Sequence, residues 1–211
     1  MTIREIAGPA GHLEALIEEP PKEIALRAAV VLAHPHPLHG GTMHTKAVYH
    51  LAKGFTRIGC AVLRFNFRGV GTSEGTFHEG PGEMADFRAG LDFMAKRHPH
   101  TELWAAGFSF GAWVALTVGA LDDQVTTLVG VAPPITTCDF SAVRDSMKPK
   151  FLIVGERDEV APLRTVREFY AQIPEPKELV VIDMADHLFD GHVTELADTI
   201  EDLLGDVGRS P

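Results

Sequence analysis

The stretch Gly107-Phe108-Ser109-Phe110-Gly111 decides how this chain is read. It follows the apolar run Leu103-Trp104-Ala105-Ala106, which suits a buried strand, and leads into Ala112-Trp113-Val114-Ala115-Leu116-Thr117-Val118, which suits a buried helix. A strand that turns sharply into a helix at a serine lifts the hydroxyl out of the sheet and sets it beside the helix N-terminus. The flanking glycines matter because a side chain at either position would crowd that strained turn. With glycine at about 7% of residues, such a string arises by chance in roughly one chain in fifteen of this size. The strand–turn–helix setting therefore carries the reading, and the string alone does not.

Outward from this turn, short apolar runs alternate with helical patterns. Ala28–Ala33, Cys60–Phe67, Val125–Val131, Phe151–Val154 and Leu179–Ile182 read as strands. Val48, Leu51, Ala52 and Phe55 fall at i, i+3, i+4, i+7, and Phe87, Leu91 and Met94 give a second helical stripe. Leu163, Val166, Tyr170 and Ile173 mark a third stripe, and Val193, Leu196, Ala197, Ile200 and Leu204 a closing one. Ahead of them, Ile3–Ile6 and Leu13–Ile17 flank Gly8-Pro9-Ala10-Gly11 and read as a hairpin. The pattern predicts an α/β chain, a mostly parallel twisted sheet with helices on both faces and an antiparallel N-terminal edge hairpin. One domain over residues 1–211 is expected, with a flexible tail at 205–211. Ala132 to Pro149 has room for a short helix and not for a cap domain.

Composition narrows the function classes. The net charge of −10 argues against nucleic acid as a partner, since a phosphate backbone would be repelled. Apolar residues at 45% and charged residues at 23% are ordinary for a soluble globular chain. No apolar stretch approaches 18 residues, so no membrane span is expected. Cys60 and Cys138 are too few for a disulfide framework, and Met1–Gly8 lacks the pattern of a signal peptide. A cytoplasmic location is the expectation. The sequence carries no sign of oligomeric state, a homodimer included.

A serine hydroxyl is a poor nucleophile until a base removes its proton and a third group orients that base. In a doubly wound sheet such groups gather at the carboxyl ends of the strands. Asp158 lies just past a strand in Val154-Gly155-Glu156-Arg157-Asp158-Glu159-Val160, and His187 just past the last strand in Asp183-Met184-Ala185-Asp186-His187-Leu188. The order Ser109, Asp158, His187 is that of an α/β-hydrolase. Val31-Leu32-Ala33-His34-Pro35-His36-Pro37 and Arg64-Phe65-Asn66-Phe67-Arg68-Gly69-Val70-Gly71-Thr72-Ser73 extend the likeness over nearly the whole chain. The chain resembles small, lidless bacterial α/β-hydrolases similar to dienelactone hydrolases and simple carboxylesterases. That resemblance implies Ser109 as nucleophile, His187 as general base and then acid, and Asp158 as the orienting acid. It implies no cofactor and no metal.

Rival readings stand beside these roles. Asp158 could instead cap the helix that Pro162 opens, and Glu156, Glu159, Asp183 and Asp186 are acids of the same loops. The Gly-x-x-Asp segment of the family pattern favours Asp158. An oxyanion hole needs backbone N–H donors. By the resemblance one comes from Phe110 and the other from the loop after the third strand, where this chain has His34-Pro35 in place of His-Gly. Proline has no N–H, so His36 is the register match and Leu38 the substitute. His34, His36 and His39 also sit at a spacing used by zinc hydrolases, although Leu38 stands where that pattern has an aspartate. Ser73 in the glycine-rich loop is a rival nucleophile without an elbow. The expected substrate is a small-molecule ester or thioester in an open, shallow site flanked by Phe77, Phe108, Phe110 and Phe140. Alternatives are a peptidase, aminoacyl or lactone hydrolase using the same residues, or a non-catalytic binding member of the fold.

Overall fold

The computed structural model describes residues 2–205. The tail expected at 205–211 lies outside them, apart from Gly205. Eight strands are present among the described residues: β1 (Thr2–Gly8), β2 (Gly11–Glu18), β3 (Ala28–Ala33), β4 (Cys60–Phe65), β5 (Glu102–Phe108), β6 (Val125–Val131), β7 (Lys150–Gly155) and β8 (Lys177–Ile182). They form one sheet in the order β1-β2-β4-β3-β5-β6-β7-β8. Strand β2 runs antiparallel to β1 and β4, and every pairing from β4 to β8 is parallel. The helices are α1 (Lys46–Arg57), α2 (Pro81–Arg97), α3 (Phe110–Leu121), α4 (Ser141–Asp145), α5 (Leu163–Gln172) and α6 (Val193–Leu204).

Strands β3 to β7 are apolar almost throughout because both faces are covered. Every residue of β3, β4 and β7 is buried. The stripes on α1 and α6 meet one another on one face of the sheet, while α2 lies against α3 on the other. Right-handed crossovers require this arrangement, since the chain steps from β3 outward to β4, then reverses to β5 and continues the other way. The reversal places the carboxyl ends of β3 and β5 side by side, at the crevice where α/β sheets hold ligands. The edge hairpin is antiparallel, as its turn signal predicts. Between β6 and β7 only the five-residue α4 intervenes.

Buried polar groups tie the loops at this end of the sheet. Arg64, next to last in β4, donates to the Met43 carbonyl at 2.6 Å and pairs with Glu18 of β2, which also accepts from Lys53 of α1 at 2.7 Å. Asn66 accepts from the Met43 N–H at 2.8 Å and donates to Glu14 at 2.7 Å. The Ser73 hydroxyl donates to the Asn66 carbonyl at 2.7 Å and accepts from the Glu14 N–H at 2.9 Å, so it fastens the glycine-rich loop to β2. Arg68 grips the buried Asp86 of α2 through Nε at 3.0 Å and through a second guanidinium nitrogen at 2.7 Å. This bidentate geometry is the strong form of the pair. Cys60 is buried, and that burial pushes its thiol up to about 12.

Candidate active site

The elbow is built from strain and close approach. Ser109 has φ 56° and ψ −121°, a conformation that costs an L-residue on the order of 1–3 kcal/mol. A Cβ on Gly107 would lie 2.1 Å from the Gly111 carbonyl oxygen, and one on Gly111 would lie 2.5 Å from the carbonyls of Ala33 and His34. Only glycine lets the turn close on itself and lets α3 begin against the end of β3. The Ser109 N–H donates to the Val131 carbonyl at 2.8 Å, and the Ser109 carbonyl accepts from Ala112 at 2.8 Å. The Phe110 N–H, at the first position of α3, has no backbone or side-chain acceptor among the described residues.

Three loops converge on Ser109. Its Oγ lies 2.9 Å from His187 Nε2, and His187 Nδ1 lies 2.8 Å from Asp158 Oδ2. The Asp158 side chain is fully buried. Its other oxygen accepts from the N–H groups of Val160 at 2.8 Å and Ala161 at 2.6 Å. Asp158 does not cap α5, whose N-cap position is Pro162 without a side-chain hydrogen bond; Oδ1 closes the turn ahead of that helix while Oδ2 faces the imidazole. Pro162 precedes that helix instead of opening it. The rival acids are placed elsewhere. Glu156 accepts from the Met184 N–H at 2.9 Å, and Asp186 from the N–H groups of Leu188 at 3.0 Å and Asp190 at 3.1 Å. Glu159 and Asp183 are exposed. Met184 and Phe189, which bracket His187, take φ of 60° and 56°, so the imidazole projects from a tightly wound turn.

The histidines after β3 divide into different jobs. His34 is fully buried and both ring nitrogens are engaged, Nε2 with the Phe67 N–H at 3.1 Å and Nδ1 with the Pro35 carbonyl at 2.6 Å. It therefore does not join His36 and His39 as a metal ligand, which corrects the spacing-based zinc reading. Burial brings its pKa down to about 4, against a smaller opposing pull from the Pro35 carbonyl. The His36 ring stacks on His39 with centroids 4.5 Å apart and lies 5.0 Å from Phe110. Burial, then the neighbouring His39, lowers the His36 pKa, and Glu83 partly offsets them.

A cavity of about 520 Å³ opens over Ser109. One wall comes from Pro35, His36, His39 and the Gly40–Gly41 turn, with Phe110 beside the serine. The opposite wall comes from Pro134, Thr137 and Cys138, between β6 and β7, and the rim from Val160 and Leu188. No Lys, Arg, Asp or Glu lines it among the described residues. The expected phenylalanine flank holds for Phe110 alone. Phe108 is buried beneath His187 at 5.5 Å, Phe140 is buried against Phe169 at 5.5 Å, and Phe77 backs the His36 ring at 5.0 Å. No regular period marked Pro134, Thr137, Cys138 and Val160 in the sequence, because they stand on loops.

Comparison with known proteins places this geometry in a family. The family model described as serine aminopeptidase, S33, matches residues 25–148, which include the elbow and the loop after β3. A protein of Rickettsia prowazekii described as uncharacterized is 34% identical over 209 residues, covering 93% of this chain and 86% of its own. Among solved structures, an α/β serine hydrolase homologue from Coxiella burnetii is 40% identical, with a TM-score of 0.91 over 96% of this chain and 97% of that one. An α/β serine hydrolase without a lid from Xanthomonas campestris is 31% identical, with a TM-score of 0.91 over 100% of this chain and 96% of that one. With its fold, its elbow and these relatives in agreement, the chain belongs to the serine aminopeptidase S33 family of the α/β-hydrolase superfamily.

Proposed function

We propose that this hydrolase cleaves small carboxylic esters or thioesters by acyl transfer through Ser109, His187 and Asp158. The observation that carries the reading is the unbroken series from Asp158 Oδ2 to His187 Nδ1 at 2.8 Å and from His187 Nε2 to Ser109 Oγ at 2.9 Å, at the floor of a mostly apolar cavity. Asp158 accepts from the His187 Nδ1–H and so leaves Nε2 free to take the serine proton. Ser109 Oγ attacks the carbonyl carbon while His187 Nε2 accepts that proton. The resulting oxyanion lies against the N–H groups of Phe110 and His36. His187 then returns its proton to the departing alcohol or thiol as the acyl–Ser109 ester forms. Water repeats the sequence on that ester, releasing the acid and restoring the serine hydroxyl.

A lining without Lys, Arg, Asp or Glu among the described residues supports a neutral acyl group. The family description raises aminopeptidase activity, and the same residues would cleave an amide. A free substrate amino terminus would call for a carboxylate partner, and none lines the cavity among the described residues, so the ester reading is preferred. In the test, Ser109→Ala should remove nearly all turnover of p-nitrophenyl acetate and all labelling by a fluorophosphonate probe. A wild-type rate in that variant sinks the mechanism.

A further inference from the structure

Hydrogen bonding in the loop after β3 leaves a single amide unclaimed. Pro35 and Pro37 have no N–H. The Leu38 N–H donates to His36 Nδ1 at 3.2 Å. Those of His39 and Gly41 donate to the His36 carbonyl, each at 3.1 Å, and that of Gly40 to the Pro37 carbonyl at 3.3 Å. From Thr42 to Thr45 the amides are taken by Thr45 Oγ1, Asn66 Oδ1, Thr42 Oγ1 and the Thr42 carbonyl. Among the described residues from 35 to 45, only the His36 N–H lacks an acceptor.

The direction of that amide is set from beneath. Because the Phe67 N–H donates to His34 Nε2, Nε2 is the bare nitrogen and the ring proton sits on Nδ1. Nδ1–H therefore donates to the Pro35 carbonyl at 2.6 Å. The Pro35–His36 peptide is trans, so a carbonyl drawn toward His34 turns the His36 N–H the opposite way. His34 is buried under the loop, whereas His36 lines the cavity together with Ser109. The prolines contribute too, since each confines the histidine before it to extended backbone, and His36 has φ −53° and ψ 122°.

We propose that His34 is a positioning residue: by holding the Pro35 carbonyl it fixes the peptide plane whose His36 N–H receives the oxyanion. The inference rests on the acyl-transfer reading above. Burial keeps the His34 ring neutral well below neutral pH, which preserves Nε2 as the acceptor for the Phe67 N–H.

Two substitutions separate positioning from simple support. His34→Asn keeps a donor near the Nδ1 position and loses the acceptor for Phe67, while His34→Gln keeps an acceptor near Nε2 and loses the donor to Pro35. In steady-state hydrolysis of p-nitrophenyl acetate, His34→Gln should lower kcat about 100-fold, the effect of losing one oxyanion donor, with KM little changed. His34→Asn should restore most of that kcat. Wild-type kcat in the Gln variant, or an equal loss in both variants, overturns the proposal. An independent reading uses the wild-type protein alone, where nitrogen-15 NMR of the imidazoles should find the His34 proton on Nδ1; a proton on Nε2 overturns the proposal whether or not the variants fold. Ser109→Ala run alongside keeps the two levels apart. If it remains active the serine mechanism itself fails, and if it is inactive while His34→Gln is unaffected only the positioning role fails.

Discussion

Replacing Asp158 with Asn tests the orientation of the imidazole without emptying the site. The Asp158 side chain is fully buried, with Oδ1 held by the N–H groups of Val160 and Ala161 at 2.8 and 2.6 Å. An asparagine NH2 cannot occupy that place, because donors would face donors. Its oxygen must take the Oδ1 position, which points Nδ2–H at His187 Nδ1. That nitrogen then becomes the acceptor, the ring proton moves to Nε2, and Ser109 Oγ, 2.9 Å away, meets a donor instead of a base. Forcing the wrong tautomer in a serine hydrolase lowers kcat on the order of 10⁴-fold, equivalent to about 5.4 kcal/mol at 1.36 kcal/mol per tenfold. KM should change little, because Asp158 is absent from the cavity wall. Exchanging a charged acceptor for a neutral one at two amides should cost about 1–2 kcal/mol of stability. The assay is steady-state hydrolysis of p-nitrophenyl acetate at pH 8, with a thermal melt to show that the variant is folded. A folded Asn variant with kcat within tenfold of wild type refutes the tautomer argument.

The strained serine gives a second expectation: Ser109→Gly and Ser109→Ala both lack the hydroxyl, but only glycine relieves the φ of 56°. The glycine variant should be more stable than the alanine variant by about 1 kcal/mol, a Tm difference of about 2–4 °C in a chain of this size, and equal melting of the two would count against backbone strain at the elbow. Part of the acid sensitivity should trace to His34, whose folded pKa of about 4 lies below the unfolded value of 6.5. Between those values the unfolded chain binds the extra proton, so this group's effect is absent above pH 6.5, grows as pH falls, and is complete near pH 4, where it has removed roughly 3 kcal/mol. Chemical denaturation across pH 4–7 should therefore show a shallower decline in His34→Asn than in the wild type, and identical slopes would contradict the assignment.

The strands and helices were legible because both report through periodicity. The stripes Val48, Leu51, Ala52, Phe55 and Leu196, Ala197, Ile200, Leu204 are buried as read. The elbow was legible because backbone crowding demands glycine at 107 and 111, and the loops bearing Asp158 and His187 because they follow strands in a fixed order. Loop side chains obey no such period. Phe108 occupies the last position of β5 and turns under His187, away from the cavity, so its aromatic character misled. The work of His34 was equally hidden, since it depends on an amide of Phe67, 33 positions away in the chain. Ser73 and Arg68 likewise took their roles from partners on β2 and α2 that no local pattern announces.

The Gly111 backbone is seated on the carbonyls of Ala33 and His34, where any Cβ would clash, so the turn that carries Ser109 and Phe110 is fixed against the end of β3 that leads to His36. Pro134, Thr137 and Cys138 belong to a different connection, between β6 and β7, that contributes only to the cavity wall. One wall of the cavity is thereby separable from the reactive atoms, while the other shares their loop. Descendants of such a chain can acquire a new diet by altering a handful of wall positions while the reactive atoms keep their spacing. A laboratory library aimed at changing the preferred acyl group would accordingly begin at Thr137 and Cys138 and leave residues 33–41 and 107–111 untouched.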